Sequence, residues 1–106
     1  MKELLKKLAL KGYEIRNKRI LGNPLYTSEE TKLIDITQET ALICKWLRDK
    51  YGIHIEVYFD AWNKETYDFS IFIKGRKDYH YDDIIQYNTV EDTYLAAFDY
   101  ILKELI

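Results

Sequence analysis

The chain has 106 residues, of which 47% are hydrophobic, 15% aromatic and 32% charged, with a formal net charge of −2. This length fits one domain with a hydrophobic core, and the composition argues against a disordered chain. The longest apolar run is far too short for a signal-peptide core or a transmembrane helix, so we expect a cytoplasmic protein that does not contact the membrane. The single cysteine, Cys44, excludes an intramolecular disulfide and fits a reducing compartment.

The charges are distributed unevenly along the chain. Residues 1–20 contain seven Lys or Arg and two acids, whereas residues 78–106 contain seven acids and Lys103 as their one Lys or Arg. This polarity can steer the N-terminal segment onto the C-terminal one, within one chain or between two chains. A solvated surface is the simpler interpretation, because exposed charge pairs contribute little individually.

The N-terminal third predicts one short helix followed by extended chain. Residues 3–11 place leucines on one side and lysines on the other, which predicts a helix that ends at Gly12. The dipeptide Asn23-Pro24 is a turn signal. Residues 32–36 fit either a short edge strand or extended chain.

A second helix is predicted from Thr37, as its N-cap, to about Tyr51, where Gly52 stands as the C-terminal cap. Its main apolar stripe consists of residues spaced by three and four: Thr40, Ile43, Cys44, Leu47 and Tyr51. Leu42 and Trp46 lie about 100° away from that stripe. The helix is therefore apolar on two sides, and the second side needs something other than the sheet to cover it.

Two alternating segments, residues 53–60 and 67–74, predict an antiparallel hairpin with its turn in residues 61–65. A third strand is expected within residues 78–88, where Asp82-Asp83 marks a bulge or a turn. Thr89 is the predicted N-cap of the last helix, with Asp92 at the position that closes a capping box.

These elements predict a single α+β domain over residues 1–106, with an N-terminal part (1–36) and an α-β-β-β-α core (37–106). We expect two layers: a small antiparallel sheet of about three strands, covered on one face by the helices. The other face of the sheet would then carry His54, Tyr58 and Phe72.

Few residues suggest chemistry. Asp78, His80 and Asp82 would share one side of a strand, and such a set can bind a divalent cation. An exposed polar edge that discourages strand pairing is the favoured interpretation. His54 and Glu56 also share a face, where a simple charge pair is favoured over catalysis because no nucleophile lies nearby in the sequence. We therefore predict no catalytic residue, no cofactor and no metal site.

Four residues are candidates for an interface: Leu42, Trp46, Tyr58 and Phe72. Trp46 is either a core anchor against the N-terminal helix or an interface hot spot, and both interpretations stay open. The ten tyrosines suggest an interface more than base stacking, because the region that holds several of them is acidic. Cys44 lies on the core stripe and is expected to act as a small buried hydrophobe.

The order of elements is similar to that of two known architectures. The double-stranded RNA-binding domain has the same α-β-β-β-α order, but it places lysines at the start of its second helix, where this chain has Thr89-Val90-Glu91-Asp92-Thr93. That resemblance implies a topology without RNA binding. The same segment, followed by Leu95-Ala96-Ala97, also resembles the acid-capped helix of HicB-like antitoxins.

A further resemblance covers about two thirds of the chain. The segment Lys45-Trp46-Leu47-Arg48-Asp49-Lys50, with the last helix from Thr89, is similar to a group of small proteins of Bacteroidetes, their phages and mobile elements. Members pair a KWLR-(D/E)-K helix end with a final TYEEAL-like helix, from which Val90 and Asp92-Thr93 depart. The resemblance implies a genomic setting and no activity.

The sequence thus predicts a non-enzymatic accessory protein of a phage or mobile element that binds an unidentified protein or forms a homodimer. The alternative is a nucleic-acid-linked regulator, such as an antitoxin-like protein or a defence inhibitor. Only residues 2–19 offer a basic segment, so nucleic-acid binding is not expected.

Overall fold

The computed structural model of the protein describes residues 1–16, 29–61, 65–75, 81–82 and 86–106. Within these residues the fold is α+β, with three helices and an antiparallel hairpin. The elements in chain order are α1 (Lys2–Leu10), α2 (Glu29–Tyr51), β1 (Ile53–Asp60), β2 (Thr66–Ile73) and α3 (Val90–Glu104). A two-residue strand, Tyr81–Asp82, lies between β2 and α3.

Helix α1 confirms the predicted N-terminal helix with a shift of one residue. Leu5 and Leu8 are fully buried, whereas Lys6 and Lys7 face solvent. This division of the helix surface follows from the spacing of its leucines. The residues that follow the helix return to the core, since Tyr13 is only 6% exposed.

Helix α2 begins before Thr37, so the predicted N-cap at that residue is wrong. The helix already includes residues 29–36, and Thr37 is an exposed residue in its interior. The helical period continues upstream, because Asp35 is buried and Ile36 half-buried on the sides that later carry Glu39 and Ile43. The interpretation of residues 32–36 as a strand or extended chain is therefore also wrong, and the boundary drawn between residues 36 and 37 falls inside α2.

The hairpin of β1 and β2 is confirmed. The strands pair antiparallel in an unbroken register from Ile53 opposite Ile73 to Asp60 opposite Thr66. Gly52 joins α2 to β1 with a positive φ of 67°, and a Cβ atom there would lie 3.0 Å from the Cβ atom of Lys74. A glycine is required at this joint because both the conformation and the close approach exclude a side chain.

The prediction of a third strand within residues 78–88 falls mostly outside the described residues. Tyr81–Asp82 pairs antiparallel with β2 opposite Ile71 and Ser70. Farther along, Tyr67 and Tyr87 exchange two backbone hydrogen bonds of 2.7 and 2.9 Å. Both contacts lie on the edge of β2 that faces away from β1.

Helix α3 starts where its cap predicts. The Thr89 hydroxyl accepts a hydrogen bond from the Asp92 backbone N–H at 3.1 Å, and the Thr93 hydroxyl donates to the Thr89 carbonyl at 2.7 Å. Thr93 is fully buried, so this second bond satisfies a polar group in the interior.

The core joins all three helices to the hairpin. Helix α2 packs on β1, α3 packs on both strands, and α1 packs on α3. The completely buried hydrophobic side chains are Leu5, Ile43, Leu47, Phe69, Ile71, Ala97, Phe98 and Ile101. The segment that follows α1, rather than the sheet, packs against one side of α2.

Candidate binding surfaces

A groove lies between α2 and the segment that follows α1. Its volume is about 500 Å³. The lining residues come from that segment and from the second apolar side of α2: Gly12, Tyr13, Glu14, Arg16, Leu42, Lys45, Trp46 and Asp49. Two predicted interface residues, Leu42 and Trp46, therefore meet in one place, which we call the α2 groove.

Trp46 lines the α2 groove and packs against two tyrosines. Its ring packs edge-on against Tyr13 and Tyr51, and each pair has a centroid separation of 5.4 Å. The Lys50 Nζ atom lies 5.3 Å from the Trp46 ring centroid and donates a hydrogen bond of 2.9 Å to the Lys11 carbonyl. Trp46 is half-buried, so it supports the segment after α1 and still presents part of its surface.

A buried carboxylate holds the segment after α1 to α2. Glu39 is completely buried, and its Oε1 atom accepts hydrogen bonds from the Tyr13 hydroxyl at 2.5 Å and from the Arg16 backbone N–H at 3.2 Å. Burial, and then the hydrogen bond to Glu39, raise the pKa of the Tyr13 hydroxyl well above its ordinary value. Tyr13 therefore remains a donor to the carboxylate at all physiological pH values.

Sequence reasoning missed this pair. The helical period contains the signal, because Glu39 lies on the side of α2 that also carries Leu42 and Trp46, and Asp35 joins it when the period is extended upstream of Thr37. A carboxylate on an apolar side requires a donor from elsewhere in the chain.

The rim of the α2 groove carries balanced charge. Lys45 pairs with Asp49 at 2.6 Å, and Arg16 approaches Glu14 at 4.0 Å. The hydrogen bond from Lys45 lowers the pKa of the Asp49 carboxyl group. Among the lining residues, two cations and two carboxylates therefore accompany Tyr13 and Trp46, and neither sign of charge dominates.

Tyr58 and Phe72 lie on the sheet, apart from the α2 groove. Tyr58 is 36% exposed and Phe72 is 40% exposed. They share one face of the hairpin but stand four residue pairs apart, since Phe72 is opposite His54 and Tyr58 is opposite Asp68. The same face contains buried polar groups: Asp68 accepts hydrogen bonds from the Tyr58 hydroxyl at 3.4 Å and the Phe69 backbone N–H at 2.7 Å.

Cys44 is half-buried between α2 and α3. Burial raises the pKa of its thiol to about 11, although the nearby Arg48 charge acts in the opposite direction. The thiol is thus protonated near neutral pH, and the thiolate is the form that reacts as a nucleophile. This position agrees with the predicted role of Cys44 as a small hydrophobe in the core.

The candidate metal ligands Asp78 and His80, and the side chain of Asp82, lie outside the described residues. Among the residues that the structure does describe, no group of three or more His, Cys, Asp or Glu could hold a metal ion. His54 and Glu56 are both exposed on β1. In the described part of the chain, no helix has the length and apolar character that crossing a membrane requires.

Comparison with known proteins adds no relative: no protein-family model matches the chain, and neither a curated protein nor a solved structure matches it significantly. The resemblances that the sequence suggests therefore stay predictions.

Proposed function

We propose that this chain is a non-enzymatic accessory protein of a phage or mobile element that acts by binding another protein or a second copy of itself. In this proposal it works in the cytoplasm without a cofactor. The observation that carries the proposal is the α2 groove, where Leu42 is 37% exposed beside half-buried Trp46.

The side chains of the α2 groove are those that dominate protein interfaces. Trp, Tyr and Arg are the residue types most enriched at binding hot spots, and Trp46, Tyr13 and Arg16 all line the groove. The rings of Tyr13 and Trp46 are already held by their edge-on contact, so binding at these two residues would cost little side-chain entropy. Because the rim charges balance, the partner would insert an apolar side chain and surround it with polar groups of both signs.

The sheet offers a second surface in this proposal. If the strand at Tyr81–Asp82 continues into a full third strand and the helices cover only one face, then Tyr58 and Phe72 belong to a face left open for a partner. Their partial exposure supports this view. The buried Asp68 and Ser70 on the same face count against a wholly apolar contact there.

The alternative function is that of a nucleic-acid-linked regulator, such as an antitoxin-like protein or a defence inhibitor. The exposed lysines of α1 and its following turn favour it: Lys6, Lys7 and Lys11. The acidic residues of α3 count against it, because α1 packs on that helix.

Variants of two exposed residues on α2 test the proposed function. Leu42→Arg places a charge in the α2 groove, whereas Ile34→Arg makes the same change at a residue of α2 that is 50% exposed and is not among the residues that line the groove. We expect tagged wild type and Ile34→Arg to capture the same protein from the native host, and Leu42→Arg to lose it by tenfold or more. If both variants capture the protein equally, and circular dichroism shows that both fold, the α2 groove is not the binding site.

A further inference from the structure

Strand β1 forms one edge of the sheet, and its outward backbone groups belong to its apolar residues. The Lys74 N–H donates to the Gly52 carbonyl at 2.8 Å, which places the hydrogen-bonded pairs of the hairpin at even-numbered residues of β1. The odd-numbered residues therefore direct their N–H and C=O groups away from β2: Ile53, Ile55, Val57 and Phe59. Within the described residues, no other backbone group bonds to them.

Within the described residues, this edge lacks most of the usual protection against strand pairing. Proteins blunt edge strands with charged residues (lysine above all), proline, a bulge, very short length or a covering helix or loop. β1 is eight residues long, contains none of Lys, Arg or Pro, and keeps an unbroken register with β2. The edge is thus a template for another strand.

We propose that β1 pairs antiparallel with β1 of a second copy of this chain, across a two-fold axis at Val57, so that the two hairpins form one continuous sheet. A second copy is the fitting partner because a two-fold axis makes an antiparallel strand pair self-complementary. The outward groups of Ile55 and Phe59 then bond to those of Phe59 and Ile55 in the other copy. This inference rests on the self-binding part of the proposed function.

The charges of β1 select the register. With Val57 on the axis, His54 lies opposite Asp60 of the other copy, and Glu56 lies opposite Tyr58. With the axis at Glu56, two carboxylates would oppose each other, which is destabilising. With the axis at Ile55, only residues 53–57 of each strand would pair. The Val57 register pairs residues 54–60 and contains two His–Asp contacts, although Asp60 also accepts a hydrogen bond from the Gln86 side chain at 3.3 Å.

Disulfide trapping tests the contact and its register together. In a Cys44→Ala background, single cysteines replace Ile55, Glu56 or Val57. Directly opposed residues in a hydrogen-bonded pair have Cα atoms about 5.5 Å apart, within the range of a disulfide, whereas diagonal neighbours stand about 7–8 Å apart. We expect Val57→Cys to form a covalent dimer under mild oxidation, and the other two variants to remain largely uncrosslinked.

Analytical ultracentrifugation of the reduced protein measures dimerisation in the absence of a disulfide. We expect wild type to dimerise, His54→Asp to weaken the dimer by tenfold or more through repulsion from Asp60, and the His54→Asp/Asp60→His exchange to restore it. A monomer at about 100 μM would overturn the inference and the self-binding part of the proposed function together. A dimer that Val57→Cys does not trap, or that Glu56→Cys traps instead, would overturn only the Val57 register at β1 and leave self-association standing.

Discussion

The hydrogen bond from Tyr13 to Glu39 places a carboxylate where water does not reach. Glu39 is completely buried, and two donors from the segment after α1 contact the same oxygen atom. Removing a donor from a buried charged group costs more than the bond itself contributes, because the desolvation of the carboxylate is no longer compensated. The pair therefore fixes the position of the segment that forms one wall of the α2 groove.

Tyr13→Phe is expected to lower the free energy of unfolding by about 1–3 kcal/mol near neutral pH, because it removes the hydroxyl donor and keeps the ring. Urea denaturation measures the change. Tyr51→Phe is the matched control, since it also keeps a ring against Trp46. Within the described residues, the Tyr51 hydroxyl makes no hydrogen bond that the substitution would remove. The control should change stability by less than about 0.5 kcal/mol. Equal effects of the two variants would contradict a special role for the Tyr13 hydroxyl.

The same hydroxyl predicts a dependence of stability on alkaline pH. The pKa of Tyr13 is raised in the folded protein above its ordinary value of 10.0, so above that pH the unfolded chain loses a proton that the folded chain keeps. Stability must then fall as pH rises, by up to about 1.4 kcal/mol per pH unit for this group. Tyr13→Phe lacks this contribution, so its stability deficit should shrink between about pH 9 and about pH 11. A constant deficit over that range would contradict the raised pKa.

At the scale of the element, two threonines that the sequence predicts as helix N-caps can be compared directly. Thr89 accepts the hydrogen bond that caps α3, whereas Thr37 is exposed inside α2. We expect Thr89→Ala to cost about 0.5–2 kcal/mol. Thr37→Ala should be neutral or slightly stabilising, because alanine is the better helix former. Thermal or urea unfolding of the two variants checks this, and a loss of 1 kcal/mol or more in Thr37→Ala would restore that residue as a cap.

The elements differ in how much of their structure the sequence predicts, and the reason is physical. The hairpin is readable because its alternation has a period of two and Gly52 and Gly75 bound it, which leaves one register. The start of α2 is not readable, because a polar residue inside a long helix looks like a cap when tertiary contacts are unknown. The donor to the buried Glu39 is hidden for the same reason, since Tyr13 lies 26 residues away.

The candidate surfaces divide in the same way. The period of α2 predicts that Leu42 and Trp46 share one side and need a cover, and the structure places both in the α2 groove. The period cannot show that Tyr13 supplies part of that cover. Nor does the alternation of β1 alone show which backbone groups face outward, because that depends on which residues of the hairpin exchange hydrogen bonds.

At the scale of the whole molecule, the opposite charges of the two chain ends meet within one chain. α1 packs on α3, and the Lys11 Nζ atom donates a hydrogen bond of 2.8 Å to the Ile106 backbone oxygen. A surface groove between these helices is lined by Lys7, Lys11 and Lys103 together with Asp99, which pairs with Lys103 at 2.9 Å. Helix α3 has four acidic residues and Lys103 as its one Lys or Arg, so the basic segment packs on an acidic helix and offers another molecule a less positive potential than its composition suggests.

This arrangement predicts weak binding to nucleic acid. Affinity for duplexes comes mainly from protein cations that replace the counterions of the phosphates. Lysines that lie beside carboxylates therefore add little to that affinity. We expect labelled duplex DNA and RNA to bind with a dissociation constant of about 100 μM or weaker at about 150 mM salt. Lys6→Glu/Lys7→Glu serves as the control, because any residual binding through α1 should disappear in that variant. A submicromolar complex that weakens steeply with salt, and that the double variant abolishes, would instead favour the regulator over the protein-binding function.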